Sequence, residues 1–173
     1  MREPPVILVG MMLSGKSTVG KRLADKLNLP FFDLDKAIEA CSGSTISALI
    51  ERGEEMFREV ESRTLATHLD KGTTVVLATG GGAFEAVQNR ECCLNSGFVV
   101  YLKAKTETLL ARHALDNTIR PLLKKGFPEK KLNELMLVRE KNYMKAHWVI
   151  AVDGLYVDDI VNEIVNAYQS RDS

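Results

Sequence analysis

Cysteine is scarce in this chain: Cys41, Cys92 and Cys93 are the only three among 173 residues. An odd count with one adjacent pair makes no disulfide framework. The spacing suits neither a zinc site nor a redox CxxC pair. A reducing cytoplasm is therefore expected, with Cys92 and Cys93 serving in packing. Net charge is missing too. Lys plus Arg and Asp plus Glu stand at 23 each, so bulk attraction to nucleic acid or an anionic membrane is not expected. A small anionic substrate stays open, because a local arginine cluster suffices for that. Long apolar runs are also absent: nothing approaches the roughly 18 apolar residues of a membrane span. The opening MREPPVILVG is too short for a secretory signal and enters a strand-like run at once. No internal repeat, low-complexity tract or linker appears. A length of 173 residues, 45% hydrophobic and 27% charged, predicts one domain over 1–173 with a sizeable core. No exposed apolar face is obvious, which favours a monomer.

What the chain does contain is an alternation of short apolar runs and helical stretches. VILVG (6–10) reads as a buried parallel strand ending in glycine. STVGKRLADKLN follows with Val19, Leu23 and Leu27 at helical spacing. LPFFDLD is a second strand candidate, and 36–70 reads as helical with breaks near Ser42–Ser44 and Gly53. TTVVLATGGG and FVVYL (98–102) give a third and a fourth strand, the latter followed by the helix TETLLARHAL. NTIRPLLKKGFPEKK reads as a mobile loop. A helix from about Glu129 to Lys145, the strand WVIAV (148–152) and a closing helix through Ile160, Ile164 and Tyr168 complete the chain. Such alternation predicts an α/β fold with a parallel sheet.

Chemistry enters at GMMLSGKST, Gly10 to Thr18. Gly10-x-x-x-x-Gly15-Lys16-Ser17 fits the phosphate-loop pattern and lies between a predicted strand and helix. Glycines let successive N–H groups turn inward around phosphate oxygens, and the helix N-terminus adds its positive dipole end. Lys16 can reach the outer phosphates, and the Ser17 hydroxyl can ligate Mg²⁺. Such a loop implies a nucleoside triphosphate but not the acceptor. Three further features speak to that. Asp33 and Asp35, in FFDLD, fall at a strand's C-terminal end, the edge where parallel sheets bind ligands. One carboxylate can help hold a metal's water shell and the other can take a hydroxyl proton; alone, the pair also fits a solvated pair or a helix cap. Gly80-Gly81-Gly82 can expose N–H groups to a close ligand or simply make a tight turn. Arg58, Arg120 and Arg139 each suit a carboxylate, a phosphate or a surface ion pair.

These motifs, in this order, resemble those of the shikimate kinase family: GMMLSGKST, FFDLDKAIE, RGEEMFREVE, ATGGGA, TIRPLL and REKNY. They run from residue 10 to about 143. The resemblance implies ATP-dependent phosphorylation of the 3-hydroxyl of shikimate, on the route to chorismate and the aromatic amino acids. It implies a three-layer α/β/α, nucleoside-monophosphate-kinase-like fold with a five-stranded parallel sheet of order 2-3-1-4-5. A substrate-binding region would cover about 33–62 and a closing lid about 113–127.

Carried over by position, Gly10, Ser14, Gly15, Lys16, Ser17 and Thr18 would hold ATP phosphates, with Ser17 and Asp33 on the Mg²⁺ side. Asp35 would grip the shikimate hydroxyls and act as base. Arg58 and Arg139 would pair with the substrate carboxylate, with Glu61 orienting Arg58. Gly81 and Gly82 would offer backbone contacts to substrate, with Gly80 shaping the turn. Arg120 would swing onto the transferring phosphate, and Arg112 or His113 would cover adenine. His68 and His147 lack a partner pattern and are expected to be structural.

The sequence departs from the family at two places. Leu13 stands where a small residue is usual, and its side chain is expected to face the lid or solvent. Asp153-Gly154 stands where Asp-Thr is usual, with no proline a few residues on. Two rival readings are a gluconate-kinase-like enzyme on the same fold and a shikimate-kinase-like protein that binds without catalysing. The first has no need of two carboxylate-gripping arginines. Against the second stands the retention of Lys16, Ser17, Asp33, Asp35, Arg58, Arg120 and Arg139.

Overall fold

Four apolar residues in a row, Val6–Val9, are each wholly inaccessible to solvent. Such a run suits a strand covered on both faces, as helices on either side of a parallel sheet provide. A computed structural model describes residues 3–115 and 128–171. It contains β1 (Val6–Val9), α1 (Lys16–Leu27), β2 (Phe31–Asp33), α2 (Leu34–Ser42), α3 (Ile46–Arg52) and α4 (Glu54–Leu69). After them come β3 (Val76–Ala78), a 3₁₀ turn (Ala83–Glu85), α5 (Val87–Ser96), β4 (Phe98–Lys103) and α6 (Thr106–Leu115). The described chain ends with α7 (Pro128–Tyr143), β5 (Trp148–Ala151) and α8 (Val157–Ser170). The five strands form one sheet in the order β2-β3-β1-β4-β5, with every neighbouring pair parallel. This is the expected order.

Local chemistry sets the boundaries. Asn28 closes α1 in the left-handed region, its N–H reaching the Ala24 and Asp25 carbonyls. Asp33 ends β2 and caps α2 by accepting from the Lys36 N–H, and Gly43 ends α2 at φ 63°. Thr45 caps α3, and Gly53 separates α3 from α4. The two expected helix breaks thus fall where they were read. Helix α5, which carries Cys92 and Cys93, had no clear periodic signal; its apolar residues make no stripe, and polar Asn89 and Arg90 are among those it buries. No disulfide joins the three cysteines. His68 stacks on Phe32 with ring centroids 3.5 Å apart. His147 accepts the Val99 N–H at Nδ1, at 3.0 Å. Both histidines are structural, as expected. Residues 116–127, most of the expected lid and loop, lie outside the described residues, and Arg120 with them.

The sheet brings the ends of β1 and β3 side by side, so the loop after β1 and the glycines after β3 share one edge. The Thr79 N–H donates to the Leu8 carbonyl at 3.1 Å, extending the pairing to that edge. At the opposite end Gly97 leads into β4. A β-carbon there would lie 2.5 Å from the Pro5 carbonyl oxygen, which already accepts the Phe98 N–H at 2.8 Å. Gly97→Ala is therefore expected to cost about 1–3 kcal/mol of stability through overpacking. Chemical denaturation measures this, and the loop after β1 and the glycines after β3, at the other end of the sheet, should be undisturbed.

Candidate active site

The loop from Gly10 to Gly15 is shaped by backbone that side chains rarely tolerate. Gly10 has φ 144° and Gly15 has φ 99°. A β-carbon at Gly10 would meet the Leu102 carbonyl oxygen at 2.7 Å. Leu13 also sits in the left-handed region, at φ 68°, where an L-residue costs about 1–2 kcal/mol. Of the two expected directions for its side chain, solvent is corrected: Leu13 is half-buried and packs against the core, while most of the lid lies outside the described residues. That contact offsets the backbone cost. Its carbonyl accepts from Arg112 Nη1 at 2.9 Å. Arg112, near the end of α6, therefore reaches over the loop and lines the cleft beside it. Of the two residues expected to cover adenine, Arg112 lines this cleft. His113 does not line that cleft, and its Nδ1 is buried without a partner among the described residues.

Lys16 is buried and donates to the Gly10 and Met11 carbonyls at 2.9 and 2.8 Å. Its ammonium thus sits at the mouth of the loop. Ser14 is buried as well, and its hydroxyl has no partner among the described residues. The Ser17 hydroxyl donates to Asp33 Oδ2 at 2.7 Å. Asp33 Oδ1 holds the Lys36 N–H, so one carboxylate both starts α2 and faces the loop. Asp35 belongs to the first turn of α2 rather than to the strand end, which turns it toward the glycines after β3.

Those glycines are the centre of the arrangement. A β-carbon on Gly80 would lie 2.7 Å from Asp35 Oδ1 and 2.8 Å from Glu61 Oε1. On Gly81 it would meet the Met12 nitrogen at 3.1 Å and Arg139 Nη1 at 3.7 Å. On Gly82 it would strike both terminal nitrogens of Arg58 at 2.6 Å. Asp35, Glu61, Arg58 and Arg139 therefore converge on one turn from α2, α4 and α7. Gly80 does more than shape the turn: it makes room for two carboxylates.

Arg58 and Glu61 form an ion pair at 2.7 Å on one face of α4, and Glu54 approaches Arg58 at 3.4 Å. Glu61 is 1% exposed. Burial pushes its carboxyl above the ordinary value; Arg58 opposes this, and the Asp35 charge adds to it. Burial also disfavours the Arg58 charge, but Glu61 and Glu54 outweigh it and hold the guanidinium above its ordinary pKa. Arg139 is buried, with Nη1 donating to the Gly81 carbonyl at 3.3 Å.

Two adjoining clefts result. One, of about 680 Å³, is lined by Asp35, Arg58, Glu61, Arg139, Gly80–Gly82 and residues of α3. The other, of about 430 Å³, follows the phosphate loop from Met12 to Val19 and ends against Leu155, Val157 and Ile160. Ser17, Asp33, Asp35 and Gly81 line both. The pair can hold a polyphosphate in one cleft and a small carboxylate-bearing polyol in the other, with a carboxylate at the junction. Sequence reasoning missed Thr79, Leu155 and Tyr143. Tyr143 lies four residues after Arg139, hence on the same face of α7. Asp153 accepts from the Lys105 N–H at 2.9 Å and from the Thr108 hydroxyl at 2.6 Å. It thereby ties the Gly154 loop to α6. Burial opposes its charge, but these hydrogen bonds outweigh burial and hold it below the ordinary carboxylate value.

Residues 12–169 match the family model for shikimate kinase. A shikimate kinase of Bradyrhizobium diazoefficiens is 41% identical over 167 residues, covering 96% of this chain and 80% of that protein. One from Paramagnetospirillum magneticum is 46% identical over 146 residues, covering 84% and 74%. Among solved structures, shikimate kinase from Acinetobacter baumannii in complex with shikimate superposes with a TM-score of 0.92 at 38% identity, covering 97% of this chain and 94% of that one. A gluconokinase from Sinorhizobium meliloti, at 17% identity and a TM-score of 0.65, shares the fold alone. With its motifs brought together around one glycine turn, and with matches that span nearly its whole length, this chain belongs to the shikimate kinase family.

Proposed function

We propose that this chain transfers the γ-phosphate of ATP to the 3-hydroxyl of shikimate, giving shikimate 3-phosphate and ADP, a step toward chorismate and the aromatic amino acids. One observation carries the reading: a phosphate loop and a two-arginine, two-carboxylate cluster share a single turn, Gly80–Gly82. A ring with one carboxylate and three hydroxyls is complementary to that cluster.

Arg58 and Arg139 grip the carboxylate of shikimate, with Glu61 holding Arg58 in place. Gly81 and Gly82 contribute backbone contacts. Asp35 accepts the proton of the 3-hydroxyl as its oxygen forms a bond to the γ-phosphorus and the bond to the β-phosphate oxygen breaks. The loop from Gly10 to Thr18 holds the phosphates, and Lys16 offsets their charge. The buried Ser14 hydroxyl is a donor suited to a phosphate oxygen. Arg112 lies beside the loop toward the base. Arg120 is assigned to the transferring phosphate from the sequence pattern alone.

Mg²⁺ fits the donor set, because it favours one or two protein oxygens and keeps its waters. Ser17 and Asp33 present a hydroxyl and a carboxylate 2.7 Å apart, and they would hold it. When bound, the ion neutralises phosphate charge. No group of three or more metal-ligating side chains occurs among the described residues, which suits an ion held jointly with phosphates. Among the described residues no helix is long and apolar enough to cross a membrane. The reading is completed by a monomeric, cytoplasmic kinase domain over 1–173, with a substrate-binding region at about 33–62 and a lid at about 113–127.

With Mg²⁺-ATP, ADP release is expected to require shikimate and to stay at background with gluconate or nucleoside monophosphates. No turnover at saturating shikimate, with binding intact, would sink the kinase reading. Arg58→Ala and Arg139→Ala are each expected to raise KM for shikimate roughly tenfold or more. Each removes charge-assisted hydrogen bonds worth about 1.5–3 kcal/mol apiece. An unchanged KM in both would place the carboxylate elsewhere.

A further inference from the structure

The glycine turn is held from behind by side chains that the reading above does not use. Asn89 donates to the Ala83 carbonyl at 3.0 Å. Arg90 donates to the Phe84 and Glu85 carbonyls at 3.0 and 3.1 Å. From α7, Asn142 donates to the Glu85 carboxylate at 3.2 Å. Gly81 is treated differently from the rest, because its carbonyl takes two donors. One is Arg139 Nη1; the other is the Tyr143 hydroxyl.

Tyr143 is fully buried. Its ring stacks on Tyr101 at 4.9 Å and on Phe84 at 6.5 Å between centroids. Its hydroxyl also lies 3.9 Å from the Met11 sulfur, at the start of the phosphate loop. The aromatic ring therefore cannot swing away, and among the described residues the only strong acceptor at its hydroxyl is the Gly81 carbonyl. Burial pushes the phenol pKa well up, although Arg139, itself within hydrogen-bonding reach of the hydroxyl, pulls the other way; the hydroxyl keeps its proton and remains a donor to Gly81.

Arg139 is in another position. It is the one of the two donors that also lines the larger cleft. Were it the sole donor to Gly81, turning its guanidinium to a ligand's carboxylate would strip a peptide carbonyl of its hydrogen bond. The cost of leaving that oxygen unpaired would be subtracted from ligand binding. With Tyr143 present the carbonyl keeps a partner throughout, since one carbonyl oxygen accepts two bonds.

We propose that Tyr143 is a positioning residue for the carboxylate clamp: its hydroxyl keeps the Gly81 carbonyl paired, so that Arg139 can pass from that carbonyl to the substrate's carboxylate. The proposal rests on the reading of Arg139 as a carboxylate-binding arginine. It adds a route by which a residue that never touches substrate sets the affinity for one functional group.

Tyr143→Phe removes one hydroxyl and keeps the ring stack. It is expected to raise KM for shikimate five- to twentyfold, to leave kcat within twofold, and to leave KM for ATP unchanged. The carboxamide analogue of shikimate, which carries no charge to draw Arg139, should bind the variant and the parent equally. Tyr101→Phe, which removes a neighbouring hydroxyl bonded to Met136, should change neither KM. A KM for shikimate within twofold of the parent in Tyr143→Phe would overturn the proposal. An equal penalty for the carboxamide would overturn it too, because the defect would then not pass through Arg139. Should the variant melt below the assay temperature, the parent protein decides. On saturation with shikimate the Tyr143 hydroxyl proton should stay protected from exchange in NMR spectra while the Arg139 Nη–H signals move; loss of that protection would refute the hand-over. Failure of the functional reading shows separately, as an unchanged KM in Arg139→Ala. If that variant is impaired and Tyr143→Phe is not, only the hand-over fails.

Discussion

Everything in the two clefts depends on the space left by three missing β-carbons. Gly80, Gly81 and Gly82 are not needed for their torsion angles: none of them is among the positive-φ glycines, and Gly82 has φ −99°. They are needed because other atoms occupy the volume a side chain would fill. Asp35 and Glu61 take the space at Gly80, and Arg58 takes it at Gly82. At Gly81 the backbone nitrogen of Met12 closes in, joining the turn to the phosphate loop. Close approach thus couples the two halves of the site. The functional side chains, rather than the fold, would bear most of the cost of a methyl group at Gly80 or Gly82.

The electrostatics follow from that crowding. Two carboxylates and two guanidinium groups meet at one turn while the chain as a whole is neutral. Burying any one of these charges alone would be costly. Here Glu61 is almost wholly buried but paired with Arg58, and Arg58 keeps 29% of its side chain exposed toward the cleft. Glu61 can therefore fix the arginine from inside while leaving part of it available to a ligand. The alternation of signs also explains why net charge carried no warning of an anion-binding cleft.

The sheet was legible because its strands are short, continuous apolar runs and its helices begin and end at capping residues such as Asp33, Thr45, Gly43 and Asn28. The strand order came from family resemblance, since periodicity says nothing about which strands are neighbours. Helix α5 escaped because its buried positions include Asn89 and Arg90, which face inward to hold carbonyls. In the site, Lys16 and Ser17 were legible from the spacing of the phosphate loop, whereas Asp33 took a role only through the family resemblance. The meeting of Arg58 with Arg139, 81 positions apart, was not, because only the sheet brings α4 and α7 to the same turn. The solvent direction expected for Leu13 failed for a related reason: the loop curls over the core edge, so a side chain on its crest finds apolar neighbours. Tyr143 closes the REKNY motif but was given no role there, and its spacing of four from Arg139 acquired meaning only with the Gly81 carbonyl between them.

The most direct test of this account is calorimetric titration of shikimate into Gly82→Ala. A methyl group there must displace the Arg58 guanidinium, whose nitrogens stand 2.6 Å from its position. The account expects shikimate affinity to fall at least roughly tenfold, as for a lost charge-assisted pair, while ATP affinity holds near the parental value. Undiminished shikimate affinity in a folded Gly82→Ala protein would contradict it.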